Sequence, residues 1–375
     1  MERENGASSI PEEALAILRE RSEAVRGEPE LEQLLKRMIA ERGRITFEQF
    51  MDAALYHPRY GYYMAPVLRV GKEGDYITSP EVGPAFGHCL ARVLLRLSHE
   101  MALEAVEVVE VGGGSGKLCR DMMLAAQKLG LAIQQYTLVE LNRFLVGVQA
   151  ELLTQAGVAG GVRWVTALED LPQRSVTGFV VANEVLDALP IHRVVMNRGT
   201  LREVYVALGE GGFVEVLGEP STAGLGEHLS AAGVVLAEGQ WAEINLRARQ
   251  WLRSAARVLK RGAVVIVDYG YPAGELYSPR FAEGTLLCYY KHSTTRNPYV
   301  RIGRQDITAH VDFSALERWG AEMGLQADVL VTQRDMLVQE GAMATARTPS
   351  ERREVLELMD PAGLGGLKLL VLRRQ

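Results

Sequence analysis

Two carboxylates and an amide, Asn183, Glu184 and Asp187, stand just beyond the apolar run Gly178-Phe179-Val180-Val181-Ala182. That run reads as a buried parallel strand, and ligands of open parallel sheets bind past the carboxyl ends of the strands. If the piece after it is a helical turn, Glu184 and Asp187 share a face. Such a pair can hold a cationic group bidentately and take a proton from it. The plain alternative is a cap followed by a surface acid. Against it stands the cost of seating Glu184 in a cleft without a polar or cationic partner. His192 and His310 are lesser candidates for moving a proton, a role histidine fills less often than a structural one.

The elements that would position this pair centre on Val106-Glu107-Val108-Val109-Glu110-Val111-Gly112-Gly113-Gly114-Ser115-Gly116-Lys117-Leu118. Valine-rich residues up to 111 predict a strand covered on both faces, and Leu118, Met122 and Ala125 predict a helix over 115–129. Between them Gly112, Gly114 and Gly116 let the backbone turn sharply and a ligand approach without meeting a Cβ. A phosphate loop is excluded, because the spacing to Lys117 is one residue short and Leu118 replaces the magnesium-binding hydroxyl. The dinucleotide fingerprint fails too, for want of a glycine at 117. Glu110, two residues before the first glycine, can accept an ammonium while the glycine amides face a carboxylate. Glu140 ends the next strand, Tyr136-Thr137-Leu138-Val139, where an acid reaches ribose hydroxyls. Asp170 follows the third strand, Val162 to Val165, at the place an adenine would lie.

Bulk properties narrow the class. The chain has 375 residues, 47% hydrophobic and 23% charged, as in an ordinary soluble globular protein. A net charge of −6 leaves no basic field for nucleic acid. No apolar run approaches a membrane span. Met1-Glu2-Arg3-Glu4-Asn5 is acidic and polar, unlike a secretory signal or an Arg-rich transit peptide, so the expected compartment is the cytoplasm. Cys89, Cys119 and Cys288 are scattered in apolar contexts and the seven histidines form no ligand spacing, so no metal is expected.

Along the chain, residues 1–28 read as an extension with a helix begun at Pro11, and residues 29–105 as a helical cap region. Within that region 31–41 is an amphipathic helix, and Thr46 with Gln49 marks the start of another. Tyr56-His57-Pro58-Arg59-Tyr60-Gly61-Tyr62-Tyr63 packs four tyrosines into eight residues. Gly74-Asp75-Tyr76-Ile77-Thr78-Ser79-Pro80-Glu81 reads as a turn into a helix over 84–101. Residues 106–375 form the core, with a β-rich insertion at about 191–240 that includes a hairpin about Arg198-Gly199-Thr200. A loop at 218–226 and a helix over 241–259 lead to a fifth strand, 263–267, ending in Asp268-Tyr269-Gly270. Residues 271–305 are expected to be a mobile cover. A helix at 311–323, a strand at 327–332, a helix at 350–359 and a strand at 367–372 complete the chain, the two strands forming an antiparallel terminal hairpin.

The acid-x-Gly-x-Gly-x-Gly pattern resembles motif I of class I S-adenosylmethionine-dependent methyltransferases. Together the 74–81 segment, Glu110 to Gly116, Asn183-Glu184 through Asp187-Ala188-Leu189-Pro190-Ile191-His192, Asp268-Tyr269-Gly270 and Gln305-Asp306-Ile307-Thr308-Ala309-His310-Val311-Asp312-Phe313 resemble the MidA-type methyltransferases. That family includes the mitochondrial complex I assembly methyltransferase, and the resemblance runs from about Leu31 to the C-terminus. It departs in the first 28 residues and at Tyr289-Tyr290-Lys291-His292, where relatives more often carry arginine before the histidine.

The resemblance implies a Rossmann-like α/β fold with a seven-stranded class I sheet, and S-adenosyl-L-methionine as cofactor. The expected contacts are Thr78, Ser79, Pro80, Glu110, Gly112, Gly114, Gly116, Glu140, Asp170 and Asn183. For mitochondrial members it implies methylation of a protein arginine, with Glu184 and Asp187 as the carboxylates that receive the guanidinium. A small-molecule acceptor, an NAD-dependent oxidoreductase and a cofactor-holding assembly chaperone are the rival readings, and a homodimer stands open.

Overall fold

The computed structural model describes residues 26–375. The helix expected from Pro11 lies outside them. The central sheet comprises β1 (Val106–Val111), β2 (Ile133–Val139), β3 (Val162–Val165), β4 (Val176–Asn183), β5 (Leu259–Asp268), β6 (Gln326–Thr332) and β7 (Lys368–Arg374), in the order β3-β2-β1-β4-β5-β7-β6. Every neighbouring pair from β3 to β5 is parallel, and β7 runs antiparallel to both β5 and β6. The last two strands form the expected antiparallel pair, and β7 is slotted between β5 and β6.

Period-two alternation explains why the sheet is covered on both sides. Val108, Phe179, Val181, Ala263 and Val265 join one core with Phe86, Leu90 and Leu97 of the helix Ala85–Glu100 and Met122 of Lys117–Leu129. Val109, Val180, Ala182, Val264 and Ile266 point the other way, onto Leu252 of Leu246–Val258 and Phe313 and Trp319 of Phe313–Glu322.

A third core builds one wall of the cleft. Leu31, Leu35 and Ile39 of the helix Pro29–Arg42 meet Phe47, Phe50 and Leu55 of the helix Phe47–Tyr56, together with Ile191, Val206, Cys288 and Ile307. The start of the second helix is the capping box expected of Thr46 and Gln49, with Thr46 Oγ1 accepting the Gln49 amide at 3.1 Å and Gln49 Oε1 the Thr46 amide at 3.2 Å. Ile45–Thr46 pairs with Thr200–Gly209 of the insertion, so the N-terminal helices and the insertion share one small antiparallel sheet.

Three local expectations are corrected. Trp241–Ile244 is a strand paired with 192–195, and the helix starts after Asn245, whose side chain accepts the Ala248 amide at 2.9 Å. The loop expected at 218–226 gives way to a helix, Gly224–Ala231. Within 271–305 the strands Leu287–Tyr290 and Ser293–Thr295 join Asp306–Thr308 in a three-stranded sheet, so much of that stretch is built structure.

Candidate functional site

β1 delivers the chain into a turn where Gly112, Gly114 and Gly116 all take positive φ, at 72°, 51° and 85°. A Cβ on Gly114 would meet nothing within 4 Å, so this turn offers bare backbone to open space. That space is a cleft of about 480 Å³ across the carboxyl ends of the central strands, lined by Glu110, Gly112, Gly114, Glu140, Asn183 and Glu184 among others. Glu110 is buried, its Oε2 accepts the Tyr136 hydroxyl, and burial pushes its carboxyl up to about 8. Glu140 accepts the Asn142 amide at 2.9 Å on Oε1 and Gln149 Nε2 at 3.0 Å on Oε2. Gln149, fully buried, also donates to the Gly114 carbonyl at 3.0 Å and accepts Trp164 Nε1 at 2.9 Å. One amide side chain thereby fixes the glycine turn relative to the acid of β2.

The second half of the cleft is the turn after β4. It is not a helical turn: Glu184 sits at φ 52°, a left-handed conformation that costs a non-glycine residue on the order of 1 kcal/mol. Asp268, wholly buried at the end of β5, holds the turn. Its Oδ2 accepts the amides of Leu186 at 2.8 Å, Val185 at 3.2 Å and Asp187 at 3.3 Å, while Oδ1 accepts the Tyr269 amide at 2.8 Å. Glu184 faces the cleft. Its Oε1 accepts the Ser79 amide at 3.0 Å and Asn183 Nδ2 at 3.1 Å. Burial lifts its carboxyl to about 8.

Asp187 lies outside the cleft lining, among buried acids. Desolvation raises it strongly, and the charges of Asp268, Asp306 and Glu184 add to the effect. Asp306 is raised to about 6 by burial and accepts the Tyr63 hydroxyl at 2.7 Å. Tyr56, Tyr63 and Tyr76 form the aromatic side of the cleft, and Tyr56 donates to the Ala188 carbonyl at 3.1 Å.

Thr78 and Pro80 line the cleft, whereas Ser79 is tucked behind, its hydroxyl donating to Gln333 Oε1 at 2.8 Å. Gly116 lies beneath the turn, where a Cβ would come 3.2 Å from Gln149 Cα. Asp170 is in the expected loop, but its Oδ2 turns back to cap the amides of Thr166 and Ala167, and the residues bordering the cleft there are Thr166 to Glu169. Neither histidine lines the cleft. His192 lies in the insertion sheet with its Nδ1 2.8 Å from Glu203, and His310 borders a separate small cavity beside His228 and Asp312.

Gln149, Asp268, Asp306 and the Glu81–Lys117 pair, absent from the expected site, complete it. An acid at the end of β5 is the one member that strand-end reasoning could have marked.

The charge pattern of the cleft is specific. Each lining cation is already beside an acid: Arg69 with Asp75 at 3.6 Å, Lys117 with Glu81 at 2.5 Å, and Arg247 with Glu48 at 2.5 Å. Among the described residues Glu110, Glu140 and Glu184 have no cationic partner. Asn183 Oδ1 and Trp251 Nε1, both from lining residues, are buried without a hydrogen bond. Such a cleft fits a nucleoside that brings hydroxyls and positive charge.

Residues 89–331 match the model of an S-adenosyl-L-methionine-dependent methyltransferase family. The chain belongs to that family. A Burkholderia thailandensis methyltransferase-family protein, crystallised with S-adenosyl-homocysteine, is 32% identical, with a TM-score of 0.86 over 92% of each chain. The zebrafish (Danio rerio) protein arginine methyltransferase NDUFAF7, named as mitochondrial, is 28% identical over 88% of this chain and 82% of its own. Its human (Homo sapiens) counterpart is 27% identical over 87% and 79%. The methyltransferase therefore uses S-adenosyl-L-methionine on a class I fold.

These relatives also correct the expected compartment, because they are named as mitochondrial proteins and the cytoplasmic assignment falls. Bulk composition reports what a folded core needs and is silent on the compartment that holds it.

Proposed function

We propose that this methyltransferase transfers the methyl group to a guanidinium nitrogen of a protein arginine. The observation that carries the reading is Glu184: half-buried on the cleft wall, hydrogen-bonded through Oε1 alone and without a cation among the described residues, with the Asp268 carboxylate acting on it from behind. A guanidinium arriving there supplies the missing charge and pulls Glu184 back to its ionised form. The relatives named protein arginine methyltransferases support the same acceptor.

The cofactor supplies an electrophilic methyl on sulfur, and the chain supplies placement. Glu110 and Glu140 hold the cofactor's ammonium and ribose, and the glycine turn lets its backbone approach closely. Glu184 orients the guanidinium and takes the proton that the nitrogen loses as it is methylated. Tyr56, Tyr63 and Tyr76 keep water from the reacting atoms. Alignment of this kind can supply on the order of 7–11 kcal/mol of a displacement barrier. Neither His192 nor His310 is given a part in this reading.

The test is mass spectrometry of a lysate incubated with the protein and methyl-labelled S-adenosyl-L-methionine. Label on arginine side chains is the expected result. Label confined to small molecules overturns it.

A further inference from the structure

The mouth of the glycine turn carries an ion pair that neither the catalytic reading nor the glycine motif uses. Glu81, from the short helix Ser79–Val82, reaches over the turn to the first residue of the helix Lys117–Leu129. Its Oε2 lies 2.5 Å from Lys117 Nζ, and its Oε1 accepts the Ser115 hydroxyl. The Glu81 side chain is 6% exposed and that of Lys117 33%. All three residues line the cleft beside Gly112 to Gly114.

Burying a carboxylate this deeply for one surface lysine gains little, since the desolvation cost of a buried pair offsets most of its attraction. A pair that is also a receptor is easier to understand. One negative and one positive group, side by side at the glycine turn, are the charge complement of an amino acid's ammonium and carboxylate. We infer that Glu81 and Lys117 together read the amino-acid end of the cofactor, Lys117 taking its carboxylate and Glu81 sharing its ammonium with Glu110. The two side chains satisfy each other, and each would exchange its partner for the matching group of the ligand. The consequence is selectivity: a nucleoside thioether without the amino-acid group gains nothing from the pair. The inference rests on the cofactor of the family and is independent of which acceptor is methylated.

Calorimetric titration of the intact chain with S-adenosyl-homocysteine and with 5′-methylthioadenosine separates the possibilities, because the second ligand keeps the adenosine and sulfur but lacks the amino acid. Lys117→Met is expected to weaken S-adenosyl-homocysteine by 10-fold or more and to leave 5′-methylthioadenosine within 2-fold. Glu81→Gln, which retains an acceptor for Ser115, is expected to show the same split. Equal weakening of both ligands, or undiminished binding of S-adenosyl-homocysteine in both variants, overturns the assignment. A wild-type chain that takes up no S-adenosyl-homocysteine overturns the cofactor reading, and this inference with it.

Discussion

The carboxylate of Glu184 accepts the backbone amide of Ser79 at 3.0 Å across 105 residues of sequence, closing the seam between the N-terminal segment and the turn after β4. Glu184→Gln keeps an acceptor oxygen for both Ser79 and Asn183 and removes only the charge. The variant is therefore expected to fold, with a urea midpoint at pH 5 close to that of wild type, and to bind S-adenosyl-homocysteine within a few-fold of wild type. Transfer of labelled methyl to protein should be abolished. Loss of S-adenosyl-homocysteine binding in calorimetry would instead assign Glu184 to the cofactor.

Asp268 acts on the same turn from below, through the amides it accepts from 185–187 and 269. Asp268→Ala would leave these donors in a buried site without an acceptor, a loss on the order of 2–4 kcal/mol. The urea midpoint should fall clearly where that of Glu184→Gln does not. An unchanged midpoint would mean that water or a local rearrangement replaces the carboxylate.

Much of this architecture is legible locally. Val106 to Gly116 announces strand, turn and ligand approach in one run, and the unbroken apolar runs 179–182 and 263–267 mark β4 and β5 without help from elsewhere. The failures lie where distant pairing decides. Trp241, Ala242 and Ile244 continue the apolar stripe of the following helix, and only pairing with 192–195 pulls them into a strand. No local feature places β7 between β5 and β6. Glu184 and Asp187 are spaced for one helical face, yet the Asp268 carboxylate gathers the amides of that segment into a turn with Glu184 at positive φ. Asp170 stands in the right loop with its oxygen turned to its own backbone, and Gln149 carries no sequence signal of its role.

Burial of acids also sets how stability depends on pH. The carboxyls of Glu110 and Glu184 are raised to about 8 and that of Asp306 to about 6 in the folded chain, above their ordinary values of 4.5 and 3.8. Between the ordinary and raised values the native state binds more protons than the unfolded one, so stability falls as pH rises. The urea midpoint of the ligand-free protein is expected to decline from about pH 5 to pH 8, a window set by those two glutamates, with a shallower decline in Glu184→Gln. A midpoint that climbs through that window would show that these carboxylates stay ionised.

Cofactor binding should release protons for the same reason. At pH 7 burial keeps Glu110 largely protonated, with the Tyr136 hydroxyl donating to Oε2 as the one hydrogen bond its side chain makes among the described residues. An ammonium placed beside it favours the carboxylate and drives the proton out. Titration with S-adenosyl-homocysteine at pH 7, in buffers of different ionisation enthalpy, is expected to report release of a sizeable fraction of one proton. 5′-Methylthioadenosine, which has no ammonium, should report close to none. Raising the pH toward 8 should shrink the release, because Glu110 is then partly ionised before the ligand arrives. Equal proton release by the two ligands at pH 7 would place the ammonium away from Glu110.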